Sequence, residues 1–499
     1  MDISEVIAER TDSVKRPPAR PRERAGEVLI VDLDDTLVRT DMLYETFWSA
    51  LATDWRVAFG AARAFAGGGR AALKHYLARS GSVEPDRLPY NVLVIDRVTR
   101  WRIAGGRTAL VTATDQHVAE KIAAHLGVFD EVHGSDGRRN LKGETKARFL
   151  AERFTEGFHY LGDSDADIAI WRRSLTAVTV DVPAALRARV DALGVVAEHI
   201  ATPVEGEGRG AVLLRTLRPH QWLKNVLVFV PMLTAHALTA TALLQSALAF
   251  VAFSLFASSA YVLNDLLDLQ ADRAHPRKRT RPLASGKLPL ATGTLLAPAL
   301  LVAGMLVAAS LGVEFLLVML GYFVATLSYS LYLKRQALLD ICVLAGLYTV
   351  RIVAGGVAAA IPLSVWLLAF SVFFFFSLAA VKRQAELADN LARGRGGAVG
   401  RAYVTEDLPL VTTMALAAGY VSVLVMALYV NSVTALELYG HPSMLWGICA
   451  VLLYWISRMV MVTHRGGMHD DPIVYAVKDP GSRVCFALIG LCALLGASG

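Results

Sequence analysis

Charged residues are scarce in this chain of 499 residues: Asp, Glu, Lys and Arg make up 19% of it, against 54% hydrophobic residues. This balance excludes an ordinary soluble protein of this length, because soluble domains contain about 25% charged residues. Residues 1–210 nevertheless have the composition of a soluble domain, whereas the chain after Trp222 consists largely of apolar blocks. Blocks of about 20 residues are long enough to cross a bilayer as helices. We therefore predict a soluble N-terminal domain followed by a membrane domain.

Cysteine is also rare, with four residues in the whole chain. Cys342, Cys449, Cys485 and Cys492 all fall in apolar blocks and lack the spacing of metal ligands, so the sequence implies neither a disulfide nor a zinc site. An apolar segment of the kind found in signal peptides is missing from residues 1–26, which contain KRPPARPRER. We expect a disordered basic arm there.

The apolar blocks predict nine membrane spans, near residues 222–238, 242–262, 290–311, 313–332, 338–359, 364–381, 410–431, 443–462 and 484–498. Lysine and arginine are absent from the loops after odd-numbered spans and collect in the loops after even-numbered spans. Positive charge accumulates in cytoplasmic loops. We therefore expect a multi-pass protein of the inner (cytoplasmic) membrane with its N-terminal domain in the cytoplasm.

Three predicted strands of the N-terminal domain end in polar residues. VLIVDLDDTLV leads to Asp32 and Asp34, TALVTATD to Thr112, and FHYLGDSDAD to Asp163, with Asp167 four residues later. Ligands of open α/β sheets bind at the carboxyl ends of the strands, so we expect these residues at one rim. Paired carboxylates with a metal ion suit phosphoryl transfer through an aspartyl-phosphate.

These motifs resemble those of the haloacid dehalogenase superfamily, with DLDDT as the first, Thr112 as the second and GDSDAD as the fourth. The resemblance implies an α/β Rossmann-like domain over residues 27–201, with a small helical cap over about 40–100. It makes Asp32 the nucleophile and Asp34 the general acid and base. Thr112 would hold a phosphate oxygen, and Asp163 would complete the Mg²⁺ site with Asp32, supported by Asp167.

The lysine of the third haloacid dehalogenase motif is Lys142 or Lys146, both in NLKGETKARFL. We favour Lys142, because KGE followed by a helix and then a strand resembles the phosphoserine-phosphatase-like branch. A domain retained only as a scaffold is the alternative, but every carboxylate that the mechanism requires is present.

A second group of carboxylates lies in the apolar half, in LNDLLDLQADRAHPRKRTRPLASGK from Leu263 to Lys287. Asn264, Asp268 and Asp272 are spaced four residues apart, with Asp265 beside them, so a helix presents most of them on one face. Carboxylates this close repel one another, which favours a divalent cation. Ligands that are all oxygens favour Mg²⁺, which usually binds together with substrate phosphates. The stretch therefore predicts a diphosphate site.

NDxxDxxxD resembles the first aspartate motif of the UbiA prenyltransferase superfamily, which implies an all-α domain of nine transmembrane helices over residues 211–499. Aromatic prenyltransferases of that superfamily carry a second aspartate pair after the sixth span. VKRQAEL instead has Lys382, Arg383 and Glu386 there, and cationic donors suit a phosphate gripped without a second metal. Together with RPHQWLKN, HPRKRTRP and DDPIVYAVKDPGSR, this resembles the decaprenyl-phosphate phosphoribosyltransferase branch.

That branch implies transfer of 5-phosphoribosyl from phosphoribosyl diphosphate (PRPP) to a polyprenyl phosphate, with release of diphosphate. Asn264, Asp265, Asp268 and Asp272 would hold Mg²⁺ on the leaving diphosphate. Arg351, inside the fifth span, should have an acidic lipid phosphate or carboxylate partner, with a structural ion pair as the alternative. The residues implied in binding the substrates or ordering their site are Lys224, Arg277, Lys278, Arg281, Lys334, Asp340, Arg351, Lys382, Arg383, Glu386 and Tyr403.

The two motif sets suggest a bifunctional enzyme, because the implied membrane product carries a 5-phosphate that a phosphatase would remove. The domains are joined by a linker at residues 202–210, with a reach of roughly 15 Å as a flexible coil. One alternative is an aromatic prenyltransferase, of the 4-hydroxybenzoate type, with a regulatory or separate phosphatase domain. Another is a transporter or receptor with a regulatory module. We expect no nucleic-acid partner, and the oligomeric state and prenyl chain length stay open.

Overall fold

The computed structural model describes residues 27–136, 139–202, 208–394, 402–468 and 471–498. The expected basic arm at 1–26 and the middle of the expected linker, 203–207, lie outside these residues. Two compact units form, the first from Met1–Leu217 with Val262–Ala297 and the second from Arg218–Tyr261 with Pro298–Gly499. This grouping differs from a division at the linker, because the segment with the NDxxDxxxD motif, residues 264–272, belongs to the first unit.

The first unit is built on a six-stranded sheet with the strand order β3-β2-β1-β4-β5-β6, in which every neighbouring pair is parallel. The strands are β1 (Val28–Val31), β2 (Arg107–Asp115), β3 (Glu131–Ser135), β4 (Phe158–Gly162), β5 (Thr176–Val180) and β6 (Val196–Ile200). β1 is buried along its whole length between β2 and β4. Burial on both faces explains why its sequence is an unbroken apolar run.

Among the described residues, eight helices accompany this sheet, and three of them lie between β1 and β2 in the sequence. They are α1 (Met42–Thr53), α2 (Val57–Ser80), α3 (Val92–Ile103), α4 (Gln116–Leu126), α5 (Glu144–Arg153), α6 (Ile168–Trp171), α7 (Ala184–Asp191) and α8 (Arg209–Leu217). Asp41 begins α1 by accepting the Leu43 N–H at 2.8 Å. α2 bends at Gly69, where φ is +63°. The predicted α/β class is confirmed, and α1 to α3 occupy the region predicted for the cap.

The rest of the chain is helical and confirms the predicted all-α membrane domain. Its helices are α9 (Val230–Thr234), α10 (Ala240–Leu267), α11 (Leu269–Ala274), α12 (Leu290–Ser310), α13 (Val313–Leu331), α14 (Leu339–Ala358), α15 (Val365–Ala392), α16 (Leu408–Val430), α17 (Val433–Leu438), α18 (Trp446–His464), α19 (Pro472–Lys478) and α20 (Pro480–Ala497). Eight helical segments of the described chain are long and apolar enough to cross a membrane. The protein is therefore a multi-pass membrane protein.

The expected span at 222–238 does not form one long α-helix. A 3₁₀ segment over Pro219–Phe229 is followed by the short α9, and prolines lie at the beginning of both pieces. This stretch packs closely on α14, since Val228 is fully buried and a Cβ at Gly355 would overlap the Val228 carbonyl. Among the described residues, eight helices are long and apolar enough to cross a membrane, and this stretch is not one of them.

The helical spacing predicted for the NDxxDxxxD motif, with Asn264, Asp268 and Asp272 four residues apart, is preserved. α10 ends at Leu267 and α11 begins at Leu269. Across this break the Asp268 N–H donates to the Asn264 carbonyl and the Asp272 N–H donates to the Asp268 carbonyl, both at 2.8 Å. We call residues 264–287 the aspartate loop.

Candidate active sites

Three carboxylates converge at the carboxyl edge of the sheet. Asp32 follows β1, Asp163 follows β4, and Asp167 ends the 3₁₀ turn after β4. One oxygen of each lies within 4.8 Å of the others, and among the described residues this is the one cluster of three or more acidic, His or Cys side chains that is so compact. The sequence prediction for these three residues therefore describes side chains that the fold brings together.

Backbone contacts fix the carboxylates in this arrangement. The Asp32 side chain accepts the Leu33 N–H at 2.8 Å. Asp167 accepts the N–H groups of Asp163 at 3.2 Å and Ser164 at 3.0 Å. A Cβ at Gly162 would lie 2.8 Å from an Asp167 oxygen, so glycine leaves the room that this turn requires.

The cluster is short of positive charge. Burial raises the pKa of Asp163 well above its ordinary value, and the neighbouring Asp167 and Asp32 add to the effect. Carboxylate oxygens are the ligands that Mg²⁺ prefers in proteins. Three converging carboxylates with this excess of negative charge fit a bound divalent cation.

Lys146 contacts the carboxylate predicted as the nucleophile. Its Nζ lies 2.9 Å from Asp32 Oδ1, and its side chain is 2% exposed. It also donates to the Tyr160 hydroxyl at 2.7 Å, and that hydroxyl lies 2.9 Å from Asp167 Oδ1. Lys142 lines the same pocket, which has a volume of about 180 Å³. The geometry thus favours Lys146 over Lys142 as the lysine of this site.

Both carboxylate oxygens of Asp34 accept hydrogen bonds. The Met42 N–H donates to Oδ1 at 2.7 Å, and the Thr114 hydroxyl donates to Oδ2 at 2.9 Å. Burial, followed by the charge of Asp41, raises the pKa of Asp34 to about 7. A carboxyl group with this pKa can carry a proton near neutral pH, as a general acid requires.

Thr112 was predicted to hold a phosphate oxygen, but it is not among the residues that line the pocket. Thr112 is fully buried, and its hydroxyl oxygen accepts the Thr114 N–H at 3.0 Å, while Ala113 lines the pocket. Lys74 of α2 also lines the pocket and donates to the Ala113 carbonyl at 2.7 Å. Sequence reasoning missed Lys74, Thr114 and Tyr160. The second threonine of TATD could have indicated Thr114 from the sequence. Nothing in the sequence indicated that Lys74, in a helix of the cap region, would line the pocket.

In the aspartate loop, Asp265 and Asp272 are buried and joined through one arginine. Arg281 Nη1 lies 3.0 Å from Asp265 Oδ1 and also pairs with Asp272 Oδ2. Asp272 Oδ1 is buried without a hydrogen-bond partner among the described residues, and Lys278 Nζ lies 3.8 Å away. Arg281, predicted to bind phosphate, is therefore bound to the aspartates in this structure.

The carboxylate and amide oxygens of the aspartate loop fit a metal ion that is also bound by phosphate oxygens of a substrate. Mg²⁺ is usually bound through one or two carboxylates plus phosphate oxygens. Burial raises the pKa of Asp272, although Arg281 opposes that change. Asp272 Oδ1, which has no hydrogen-bond partner among the described residues, fits a carboxylate ligand of such a metal. Asn264 and Asp268 are half-buried, whereas Arg277 and Lys278 are exposed.

In the second unit, two of the predicted phosphate-binding lysines meet at one carboxylate. Asp471 Oδ2 lies 2.8 Å from Lys224 Nζ and 3.0 Å from Lys382 Nζ, and the Tyr348 hydroxyl donates to it at 3.2 Å. Burial opposes ionisation of Asp471, but Lys382 and Lys224 outweigh burial and hold its pKa well below the ordinary range. We call Lys224, Lys382, Tyr348 and Asp471 the lysine cluster.

Arg383 makes a different set of contacts from those predicted. It is fully buried, with Nη2 2.8 Å from Asp340 Oδ2 and Nη1 paired with Glu386. Its guanidinium lies 5.6 Å from the ring centre of Tyr403, whose hydroxyl accepts the Leu338 N–H at 2.9 Å. These contacts form an internal ion-pair network, which agrees with the ordering role expected for Asp340. Arg383, which was predicted to bind phosphate, is instead occupied by Asp340 and Glu386.

Arg351 is buried in α14 among neutral groups. It donates to Asn225 Oδ1 at 3.0 Å and to the Tyr322 hydroxyl at 3.1 Å, and its guanidinium lies 5.2 to 5.7 Å from three aromatic rings. None of these described contacts is acidic. The structural ion pair considered for Arg351 is therefore not seen. Lys334 lies in a 3₁₀ turn at Leu333–Arg335 and is half-buried.

Comparison with known families divides the chain in two. The haloacid dehalogenase-like hydrolase family matches residues 29–172. The UbiA prenyltransferase family matches residues 226–472.

The relatives named here match either most of this chain or slightly more than half of it. An uncharacterized protein of Sinorhizobium fredii, y4nM, is 39% identical over 92% of this chain and 89% of its own. Nodulation protein NoeC of Azorhizobium caulinodans is 40% identical over 55% of this chain and 89% of its own. Decaprenyl-phosphate phosphoribosyltransferase of Mycolicibacterium smegmatis is 34% identical over 57% of this chain and 93% of its own.

Proposed function

Since this chain belongs to the UbiA prenyltransferase family and carries a haloacid dehalogenase-like hydrolase domain ahead of it, we propose that it catalyses two consecutive reactions. The membrane domain transfers 5-phosphoribosyl from PRPP to a polyprenyl phosphate and releases diphosphate. The N-terminal domain then removes the 5-phosphate to give polyprenyl-phosphoribose. The relatives named decaprenyl-phosphate phosphoribosyltransferase support the first reaction.

The lysine cluster is the observation that carries the transferase proposal. A prenyl donor held by two metal sites needs a second group of aspartates, whereas that part of the sequence has Lys382, which meets Lys224 at one carboxylate with both ammonium groups within 3.0 Å. Ammonium groups bind phosphate directly through charge-assisted hydrogen bonds. We propose that Lys224 and Lys382 exchange Asp471 for a substrate phosphate.

The transfer breaks the bond between the anomeric carbon of ribose and diphosphate, and an oxygen of the polyprenyl phosphate forms the new bond to that carbon. Asn264, Asp265, Asp268 and Asp272 would hold Mg²⁺ at the diphosphate end of PRPP. The bound ion would supply positive charge to the departing oxygens. Arg281 and the exposed Arg277 contribute guanidinium groups to the same oxygens, and the exposed Lys278 contributes an ammonium group.

Arg351 is the candidate ligand of the acceptor phosphate. A buried arginine with neutral described contacts is costly in a membrane span, so it favours an anionic ligand. A polyprenyl phosphate supplies an anion attached to a lipid tail, as a site within a span requires.

In the second reaction, Asp32 attacks the phosphorus of the 5-phosphate and an aspartyl-phosphate forms. Asp34 donates its proton to the ribose oxygen that leaves, and later accepts one from the water that hydrolyses the intermediate. Lys146, 2.9 Å from Asp32, neutralises charge on the phosphoryl group. Asp163 and Asp167 complete the site for Mg²⁺, which would offset the phosphate charge when bound.

The topology of the loops supports coupling of the two reactions. The nine spans predicted from the sequence include 222–238 as the first, and with this numbering lysine and arginine collect in the loops after even-numbered spans, which favours an inner-membrane protein with its N-terminal domain in the cytoplasm. Both reactions then take place on the cytoplasmic side, where PRPP is available.

The test is incubation of the purified full chain with labelled PRPP, a polyprenyl phosphate and Mg²⁺, followed by analysis of the lipid products. Wild type should yield a lipid-linked ribose without the 5-phosphate, and Asp268→Ala should yield neither product. Substituting a prenyl diphosphate and an aromatic acid tests the aromatic prenyltransferase alternative. A lipid-linked aromatic product in place of a lipid-linked ribose would refute the proposal.

A further inference from the structure

A buried ion pair ties the aspartate loop to the phosphatase domain within the first unit. Arg273, the residue after Asp272, donates from Nη1 to Glu45 Oε2 at 3.0 Å, and its Nη2 pairs with the other Glu45 oxygen. The two side chains are 4% and 0% exposed. Arg273 Nε also donates to the Ala284 carbonyl at 2.9 Å, across the aspartate loop. One arginine therefore joins both arms of this loop to α1.

Glu45 is itself held in place by the phosphatase domain. The Thr40 hydroxyl donates to Glu45 Oε1 at 2.8 Å. At the beginning of the same helix, the Met42 N–H donates to Asp34 at 2.7 Å. The helix that contacts the general acid of one reaction thus also contacts the aspartate loop of the other.

Two further contacts run along the same interface. The Trp48 indole N–H donates to the Thr294 hydroxyl at 2.9 Å, just beyond the aspartate loop. Gly286 has φ +73°, and a Cβ there would come within 2.5 Å of the Arg39 carbonyl. Glycine is required for so close an approach of the two backbones. The interface therefore extends from Arg39 into α1 on one side, and from Arg273 to just beyond the end of the aspartate loop on the other.

Arg273 and Arg281 have different functions in this arrangement. Arg281 pairs with Asp265 and Asp272 and is 26% exposed, so it can exchange them for a phosphate. Arg273 is fully engaged with Glu45 and Ala284 and has no such freedom. When a diphosphate binds Arg281, the contacts of Arg273 still hold the backbone of Asp272.

We propose that Glu45 is a positioning residue for the transferase reaction: through Arg273 it fixes the aspartate loop, so that the phosphatase domain forms a structural part of the transferase site. This inference rests on the proposed function and deepens it. Its consequence is that the loop depends on Glu45 even before any substrate binds.

The test uses the full chain in lipid nanodiscs, with Glu45→Gln, Arg273→Lys and the control Glu198→Gln. Glu198 pairs with Arg97 at 2.8 Å in the same domain, but both side chains are more than 30% exposed. Exposed ion pairs contribute little to stability, whereas removing one partner of a buried ion pair leaves an uncompensated buried charge and is strongly destabilising. Amide hydrogen exchange over residues 268–287, without metal or substrate, measures the loop directly. Transfer from PRPP and hydrolysis of p-nitrophenyl phosphate are measured separately.

We expect amide exchange in the aspartate loop to accelerate at least about tenfold in Glu45→Gln and Arg273→Lys, because local opening becomes easier. The kcat of transfer should fall about a hundredfold, since small displacements of catalytic groups cost that much. Hydrolysis of p-nitrophenyl phosphate should fall much less than transfer. Glu198→Gln should match wild type in all three measurements.

Unchanged exchange in the loop of Glu45→Gln would overturn the inference even if the protein makes lipid-linked ribose. An equal loss of transfer and hydrolysis would also overturn it, because a general loss of folding would then explain the effect. If wild type makes no lipid-linked ribose, the proposed function fails and the role of Glu45 in transfer fails with it. The exchange measurement then still decides whether Glu45 anchors the loop.

Discussion

The carboxylate cluster of the N-terminal domain and the lysine cluster of the membrane domain have opposite charge balances. Asp32, Asp163 and Asp167 lie together with Lys146 as their close cation, and the pKa of Asp163 is raised by burial and by its acidic neighbours. In the lysine cluster, two ammonium groups share Asp471, whose pKa is lowered despite burial. One site has negative charge in excess and the other has positive charge in excess.

This difference indicates how each site is completed. An excess of carboxylates is completed by a divalent cation, which then holds a phosphate. An excess of lysines is completed directly by an anion, which takes the place of Asp471. The same class of ligand, a phosphate, is thus expected at both sites by different means, and four substitutions or conditions test that difference.

The largest effect is expected from removal of the nucleophile. Asp32→Asn should lower phosphatase turnover by at least about 10⁴-fold, because loss of a nucleophile removes the covalent route. Turnover of p-nitrophenyl phosphate measures this effect. Asp165→Asn is the matched control, since Asp165 lies in the same GDSDAD loop but is 70% exposed and pairs with Arg189. Similar losses in both variants would refute the role of Asp32.

A smaller effect is expected at the lysine cluster. Lys382→Met should raise the KM for PRPP about tenfold to a hundredfold, because a hydrogen bond to a charged group contributes about 1.5–3 kcal/mol. Steady-state transfer assays at varied PRPP measure the change. Arg393→Met serves as control, because Arg393 forms an exposed ion pair with Asp389 near the end of the same helix. An unchanged KM in Lys382→Met would contradict direct phosphate binding.

Metal binding should stabilise the N-terminal domain by a modest amount. At Mg²⁺ about ten times the Kd, the free energy of unfolding should rise about 1.4 kcal/mol in wild type. Asp163→Asn should lose this gain, yet be at least as stable as wild type without Mg²⁺, because it relieves repulsion among the carboxylates. Thermal unfolding with and without Mg²⁺ tests both statements. Equal stabilisation of the variant by Mg²⁺ would show that Asp163 is not a ligand.

The smallest effect is expected for the pH dependence of the lysine cluster. Because the folded pKa of Asp471 is lowered, its contribution to stability is present above the unfolded value of about 3.9 and is lost as pH falls through the folded value. Wild type should therefore exceed Asp471→Asn in unfolding free energy at pH 7, by on the order of 1 kcal/mol. That margin should narrow as pH falls below about 4. A margin independent of pH would contradict an ionised Asp471.

The sequence predicted the residues that strand ends deliver to one rim, because the carboxyl ends of parallel strands meet at one edge of a sheet. Asp32 and Asp163 are the best examples, at the ends of β1 and β4. Lys142 and Lys146 were harder to separate, since they are four residues apart around the beginning of α5 and line one pocket. Only the side-chain contact with Asp32 distinguishes them.

Contacts between distant residues were beyond prediction from a single sequence. Glu45 and Arg273 are 228 residues apart, and neither belongs to a motif. Asp471 lay in a motif, but its pairing with Lys224 and Lys382 depends on how three separate segments pack. Arg383 was expected to face a phosphate because of its charge, whereas burial gave it two internal partners.

We propose that one chain makes a 5-phosphorylated lipid in its membrane domain and dephosphorylates it in its N-terminal domain. The most direct measurement is the lipid product of Asp32→Asn after incubation with labelled PRPP, polyprenyl phosphate and Mg²⁺. We expect this variant to accumulate polyprenyl-phosphoribose 5-phosphate, whereas wild type should accumulate the dephosphorylated lipid. The same dephosphorylated product from both proteins would show that Asp32 does not catalyse the second reaction, and would refute the proposed coupling.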